Sequence, residues 1–483
     1  MLDDLYKALC FEFPIVPRPP TVFEQERETH RFTLASLVTT FLGRQDAVDE
    51  SLRYLTTNPS TPRAPLVVTG PSGWGKSSLC AVVSARAAAM VESVHTVLPH
   101  FVGCSPDSTN IRAVLLRLCD ELQEAFGASA FIFDDSVGDA DSSFASLRAK
   151  FWAMLQQCGR LAAARGRLVV IIIDGLDLLA KHHGAQSLDW LPQQPPVGCR
   201  IMLSTVQQSP AYEAILHRAQ LPQFLELPPL TRQESQDIVA TTLAEYGKKL
   251  TGDQMDLLLS KPASSVPLYV CGCAAHPLRA DVNHHCSRFT HGRYLKVACE
   301  ELRLQAQYGI GGAGVSDTIN QLADDVAGTL DVVLARVERD YAKWARDTGG
   351  AVAIAAKNNA TVRDLLCMLL VSRRGLRQDD LVELLAPAGD IALPVAAATR
   401  LFRAVSVYVK ALGHSSLLGL AHQQMALAVE NRYFGGSEGE AVKARAIDRM
   451  VSRLRARIDP SGAGMWVAKP DSAYDDICFY YTQ

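Results

Sequence analysis

Between about residues 43 and 227, short unbroken apolar runs alternate with longer stretches of helical periodicity. Leu66–Thr69 (LVVT), Val94–Val102, Leu168–Asp174 (LVVIIID), Arg200–Thr205 (RIMLST) and Phe224–Leu227 (FLEL) read as strands. Lys76–Met90, Asn110–Phe126 and Phe151–Arg165 read as helices, the second repeating Ile111, Val114, Leu115, Leu118 and Leu122 along one face. A strand without polar alternation is buried on both faces, so the pattern predicts a mostly parallel sheet covered by helices, an α/β fold.

The flanks read differently. LYKALCFEFP predicts a short helix ended by Pro14, PIVPRPP a linker, and Val22–Leu42 a further helix. Beyond Thr231, helical spacing dominates over Thr231–Leu259 and Leu295–Tyr341. From Thr361 the order is helix, SRRGL, a second helix at DDLVELL, a third helix, a strand-like LLGLAHQQ and a helix through Val429, the pattern of a winged helix. Val442–Ile458 reads as a structural helix whose basic residues form a solvated face. The expected organisation is an N-terminal helix and proline-rich linker over 1–35 and an α/β core over 36–230. A helical subdomain follows over 231–345, then a winged-helix-like module over 346–460 and a tail over 461–483.

A chain of 483 residues accommodates several such units. A net charge of −3 argues against nucleic acid as the main partner. No run approaches the roughly 20 apolar residues that span a bilayer, and no signal-peptide core opens the chain. Twelve scattered cysteines then suggest reduced thiols in a cytoplasmic protein.

The sharpest chemical signal is Gly70-Pro71-Ser72-Gly73-Trp74-Gly75-Lys76-Ser77, followed by Ser78. It matches G-x-x-x-x-G-K-[ST] between a predicted strand and a predicted helix, the context a phosphate-binding loop requires. Glycines let backbone N–H groups converge on phosphate oxygens, and the helix N-terminus adds its positive end. Lys76 is expected at the β/γ-phosphates and Ser77 on Mg2+, with Trp74 as a packing residue. Asp174 ends an apolar strand and is the candidate Mg2+-associated carboxylate. Asp177 either orients an attacking water or caps the following helix.

With these motifs in place, TFLGRQDAVDESLRYL, IIIDGLDLL, HFVGCSPDSTNIRAVLLRLCDEL, SLDWLPQQPPVGCRIMLST, SRRGLRQDDLVELL and AHQQMALAVENRYF together resemble a NACHT-type P-loop NTPase of the STAND class. The resemblance implies a core, a helical subdomain and a winged helix that clasp one ATP or ADP. It places Gly43 and Arg44 beside the base or phosphates, Pro267 against the base and His422 on the ADP β-phosphate. It also implies an effector segment ahead of the core and sensor repeats behind it, for which Ser461–Gln483 is too short.

Two departures stand out. The family's arginine after the strand ending Ser204-Thr205 is replaced by Val206-Gln207-Gln208, so the γ-phosphate sensor is missing or is Thr205, and fast hydrolysis is not expected. Residues 270 to 294 interrupt an apolar period that resumes beyond them. Their Cys271, Cys273, His276, His284, His285, Cys286 and His291 match no familiar structural zinc spacing, so a translated intron or lineage-specific loop is expected there.

Three functions remain open: a slow nucleotide-operated switch with protein partners and an ATP-dependent oligomer; an ATPase remodeller needing an arginine finger such as Arg117 or Arg200; and a scaffold that keeps nucleotide as a structural ligand.

Overall fold

A computed structural model describes residues 21–39, 41–105, 107–127, 143–265, 293–305, 313–349, 360–372, 375–386, 392–411, 417–421 and 423–458. The expected N-terminal helix before Pro14, Pro267, most of the 270–294 segment, His422 and the tail from 461 lie outside them.

The first unit runs α1 (Val22–Val38), α2 (Gln45–Leu55), β1 (Leu66–Thr69), α3 (Lys76–Ala89), β2 (Val94–Phe101), α4 (Ile111–Phe126), α5 (Phe144–Ala163), β3 (Leu168–Asp174), β4 (Cys199–Thr205), α6 (Pro210–Leu216) and β5 (Gln223–Glu226). Its five strands are all parallel, in the order β2-β3-β4-β1-β5. Along β3, Val169, Ile171 and Ile173 pack on one face with α4 and α5. Leu168, Val170 and Ile172 pack on the other with residues of α1, α2 and α3. That two-sided burial is why β3 carries no polar residue before Asp174. The α/β expectation therefore holds, and this is the P-loop NTPase fold.

Most boundaries follow local capping. Asn110 caps α4 by accepting the Arg112 N–H at 3.0 Å. Ser143 caps α5 in the same way at Ser146, so that helix starts well before the expected Phe151. Thr21 and Glu24 form a reciprocal capping box at α1. The α1 helix crosses the expected break at residue 35: Leu37 is fully buried in the core shared with α3 and β1. It stops at Val38 rather than Leu42, ahead of Gly43 and Arg44, which both adopt positive φ.

After the sheet come α7 (Arg232–Ala244), α8 (Gly252–Leu259), α9 (Arg293–Gln305), α10 (Ala313–Gln321) and α11 (Val326–Thr348). The helical stretch expected over Thr231–Leu259 forms two helices, because Gly247 turns the chain at φ 65° and a Thr251–Gln254 capping box starts the second. Leu295–Tyr341 likewise divides, with Asp325 capping α11 through the Gly328 N–H at 2.6 Å. Ile238, Val239, Leu243, Leu258, Ala298, Leu302 and Ile319 form one apolar cluster here.

The last part contains α12 (Ala360–Val371), β6 (Leu376–Arg377), α13 (Gln378–Leu384), α14 (Val395–Val405), β7 (Val409–Ala411), β8 (Leu417–Leu420), α15 (Gln423–Tyr433) and α16 (Gly439–Ile458). Its strands form an antiparallel sheet in the order β6-β8-β7. Leu365, Leu366, Leu401, Met425, Val429 and Met450 share a core with Leu334 and Val337 of α11. No described helix is long and apolar enough to cross a membrane. The described cysteines are free and buried, so no disulfide links them.

Candidate nucleotide site at the carboxyl edge of the sheet

The loop between β1 and α3 is built on backbone conformations that side chains resist. Gly70, Gly73 and Gly75 have φ of 148°, 88° and 83°. Gly70 lies against Leu227, whose N–H bonds the Thr69 carbonyl at 3.0 Å as β5 ends. The Trp74 N–H closes a turn onto the Pro71 carbonyl, and the Trp74 side chain is half-buried. Leu79 N–H reaches back to Gly75 O at 3.0 Å, starting α3 inside the loop. Ser72 and Ser78 are half-buried and Pro71 is exposed.

Lys76 is buried at 8 % exposure, and its ammonium donates to the Gly70 and Pro71 carbonyls at 2.7 and 2.9 Å. A cation enclosed by its own loop, at the N-terminal end of a helix, suits an anionic ligand. The residues present therefore fit a nucleotide's phosphates: Gly70 to Ser78 would hold them, and Ser77 with Asp174 would hold a divalent cation.

Asp174 ends β3 in the interior. Its Oδ1 accepts the Ser204 hydroxyl at 2.5 Å, and Ser204 Oγ in turn accepts the Gly175 N–H at 2.9 Å. Burial pushes the Asp174 carboxyl above its usual range, and the Asp177 charge adds to that. Hydrogen bonds from Ser204 and Ser77 and the Lys76 charge oppose it. Cys80, one turn into α3 from Lys76, lies within hydrogen-bonding reach of the same carboxylate; burial raises its thiol well above the ordinary value.

Asp177 lies in the short turn of helix over Leu176–Leu178. Its Oδ1 accepts the Val206 N–H at 3.2 Å, so it is tied to the end of β4. Thr205, fully buried, pairs its hydroxyl with Ser209 at 2.9 Å. Ser204 and the Val206 N–H just past β4 thus donate to Asp174 and Asp177, while Thr205 pairs with Ser209, the α6 cap.

Gly43 and Arg44, between α1 and α2, pack against the β5–α7 junction. The Arg44 N–H donates to Glu234 Oε1 at 2.8 Å and its Nη2 to the Pro228 carbonyl at 2.7 Å. A Cβ on Gly43 would meet Glu234 Oε1 at 2.4 Å and push that side chain aside, and the φ of 75° there strains any other residue. Burial lowers the Arg44 value, against the Glu234 charge, which raises it. The structure thus brings together the loop, Asp174 and Asp177, while Gly43 and Arg44 contact Glu234 and Pro228, just past the end of β5. Pro267 and His422 lie outside the described residues.

Neither arginine considered as a finger is available to another chain. Arg117 is 2 % exposed and donates to the Pro99 carbonyl at 2.9 Å. Arg200 is fully buried at the opposite end of β4 and donates to the Asn58 and Cys199 carbonyls. Apolar strands and helices gave no warning that either guanidinium is internal.

Sequence reasoning missed Ser204, Cys80 and Glu234 as neighbours of the site. The i, i+4 spacing of Lys76 and Cys80 on α3 was a usable signal; Glu234, distant in the chain, left none. It also missed Glu26, His30 and Cys104, which converge at the end of β2. His30 Nδ1 accepts the Phe101 N–H at 3.1 Å, which leaves Nε2 as the protonated nitrogen, 3.4 Å from Glu26. That tautomer suits a hydrogen-bonded cluster and not a metal ligand set.

Residues 40–204 match a family model described as AAA ATPase domain. Telomerase protein component 1 of Rattus norvegicus is 29 % identical over 257 residues, covering 47 % of this chain and 9 % of that protein. NACHT domain- and WD repeat-containing protein 1 of Homo sapiens is 23 % identical over 434 residues, covering 86 % of this chain and 24 % of that protein. The chain thus spans a quarter or less of these two relatives. Among solved structures, the Aeropyrum pernix Orc1 protein in complex with DNA overlaps 83 % of this chain and 96 % of that one, at 16 % identity and a TM-score of 0.34. A P-loop NTPase domain of this type implies nucleotide binding. The chain carries an AAA-type P-loop NTPase domain over residues 40–204 and is related to NACHT and WD repeat proteins.

Proposed function

We propose that this chain is an ATP/ADP-binding signalling NTPase that works as a nucleotide-dependent conformational switch or assembly scaffold and hydrolyses ATP slowly. Lys76 binds the β/γ-phosphates, Ser77 and Asp174 hold Mg2+, and Gly43, Arg44, Pro267 and His422 complete the pocket. The units 36–230, 231–345 and 346–460 act as core, helical subdomain and winged helix. Bound ATP with Mg2+ supplies the γ-phosphate charge that separates the two states.

The observation that carries this reading is the end of β4. There Ser204 and the Val206 N–H hold Asp174 and Asp177, and the position after Thr205 carries Val206 rather than a cation. Asp177 is already an acceptor for a backbone donor, which favours holding the nucleotide over activating a water. A switch needs differential binding: moving a balance from 1:99 to 99:1 takes about 5.5 kcal/mol. Charge-assisted contacts of Lys76 and Asp174 with one nucleotide state and not the other are of a kind that contributes to it.

Protein partners are expected, as the human relative's name carries WD repeats beside its NACHT domain. A cytoplasmic location, with an oligomer formed in ATP, goes with this role. The test is titration with ADP and with Mg-ATP alongside steady-state turnover. Tight ADP retention with turnover well below the typical enzyme rate of about 10 per second supports it. Weak ADP binding with turnover at or above that rate overturns it.

A further inference from the structure

The two strands that flank β1 are joined across its end by a pair of side chains. In the order β4-β1-β5, Thr69 ends β1 level with Thr205 of β4 on one side and Glu226 of β5 on the other. Strands two places apart in a sheet are about 10 Å from each other. Gln207, in the turn that follows β4, spans that gap by donating from Nε2 to Glu226 Oε1 at 3.0 Å. The pair therefore crosses the end of β1, where Gly70 opens the phosphate loop. Leu227 fixes this corner: its N–H bonds the Thr69 carbonyl at 3.0 Å, and it lies against Gly70.

The turn after β4 delivers Gln207. Asp177 accepts the Val206 N–H, Thr205 pairs with Ser209, and between them Gln208 holds a left-handed φ of 64°. A residue with a side chain seldom adopts that conformation, so the turn is held in it by its two ends. Gln207 is neutral and positions the Glu226 carboxylate without cancelling its charge. The other carboxylates of this edge are placed differently: Asp174 lies beside Lys76 and Ser77, and Asp177 accepts a backbone donor. Glu226 is exposed, and Val206, Gln207 and Gln208 bring it no cation.

We infer that Glu226, held across the end of β1 by Gln207, is a specificity-determining residue that biases the site toward a nucleoside diphosphate over a triphosphate. ATP carries more negative charge than ADP, with or without Mg2+ on each. A fixed carboxylate at the root of the phosphate loop opposes that added charge, so it weakens ATP binding more than ADP binding. Salt screens an exposed charge of this kind, which makes the bias modest and dependent on ionic strength. The inference rests on the proposed nucleotide function and names which nucleotide the site prefers.

The test is equilibrium binding of Mg-ADP and of the Mg-bound β,γ-imido analogue of ATP to the full chain, for the parent, Glu226→Gln and the charge-reversed Glu226→Lys. Glu226 is exposed at the end of an edge strand, so both variants are expected to fold, which far-ultraviolet circular dichroism checks. The ratio of the two dissociation constants is expected to move toward the triphosphate by about two- to fivefold in Glu226→Gln, the scale of one exposed charge pair, and further in Glu226→Lys. Raising the salt from about 0.05 to about 0.5 M should shrink both changes. A ratio that stays the same or moves the other way, with both nucleotides bound, overturns the inference. So does a change that salt leaves untouched, because that marks a structural effect and not a charge. Binding of neither nucleotide to the parent overturns the proposed nucleotide function itself, and this inference with it.

Discussion

The Ser204 hydroxyl closes the end of β3, donating to the Asp174 carboxylate at 2.5 Å while accepting the N–H of Gly175, the next residue, at 2.9 Å. Neighbouring strands thereby hold the carboxylate that lies beside Ser77 and Lys76 of the phosphate loop. Because Asp174 is buried, this donor, together with Ser77 and Lys76, offsets part of the cost of its charge. Ser204→Ala is expected to destabilise the protein by about 1–3 kcal/mol, since it leaves the buried Gly175 N–H without its acceptor and takes from Asp174 one of its hydrogen bonds. The same variant should raise the Mg2+ concentration needed for nucleotide binding; urea unfolding and a Mg2+ titration check both.

Lys76→Met removes the ammonium held by the Gly70 and Pro71 carbonyls but keeps most of the side-chain volume. The folded protein is expected to persist without its response to nucleotide. In the parent chain, ADP at about a thousandfold over its Kd adds roughly 4 kcal/mol of stability. Thermal unfolding with and without ADP should therefore separate the two proteins, with no shift in the variant.

Gly43→Ala places a methyl into the Glu234 carboxylate at a residue whose φ is 75°. The strain and the lost Arg44–Glu234 contact should cost about 1–3 kcal/mol and loosen the β5–α7 junction. Chemical denaturation measures the first, and proteolysis around Pro228 the second.

His30 and His100 lie with tilted rings, centroids 4.4 Å apart, beside Arg117, and burial holds both well below the ordinary histidine value of 6.5. Their folded-state values are depressed, so the unfolded chain takes up protons first as pH falls. Their contribution is whole above pH 6.5 and is lost as pH drops toward the folded-state values. Stability should fall with pH below that point. His100→Phe should flatten the slope in a pH series of urea midpoints.

The sheet and its loop were legible because burial on both faces leaves an unbroken apolar run, and because the phosphate loop sits at a strand–helix junction. Asp174 could be read for the same reason, as the one charge ending LVVIIID. The start of α5 could not, because Ser143 caps it ahead of the first strongly apolar turn. The short β6 and β7 carry too few residues to show a period of two. Arg200 could be considered as an arginine finger because its partners are backbone carbonyls of a loop far away in the chain. Ser204 and Glu234 act through contacts across the sheet and across the β5–α7 junction, which no local pattern encodes.

The central claim is that this loop holds its nucleotide rather than turning it over rapidly. The direct measurement is the nucleotide released when the purified protein is denatured, quantified by ion-pair chromatography. Near-stoichiometric ADP, absent from Lys76→Met, is the predicted result. A nucleotide-free parent protein that turns over Mg-ATP rapidly would contradict it.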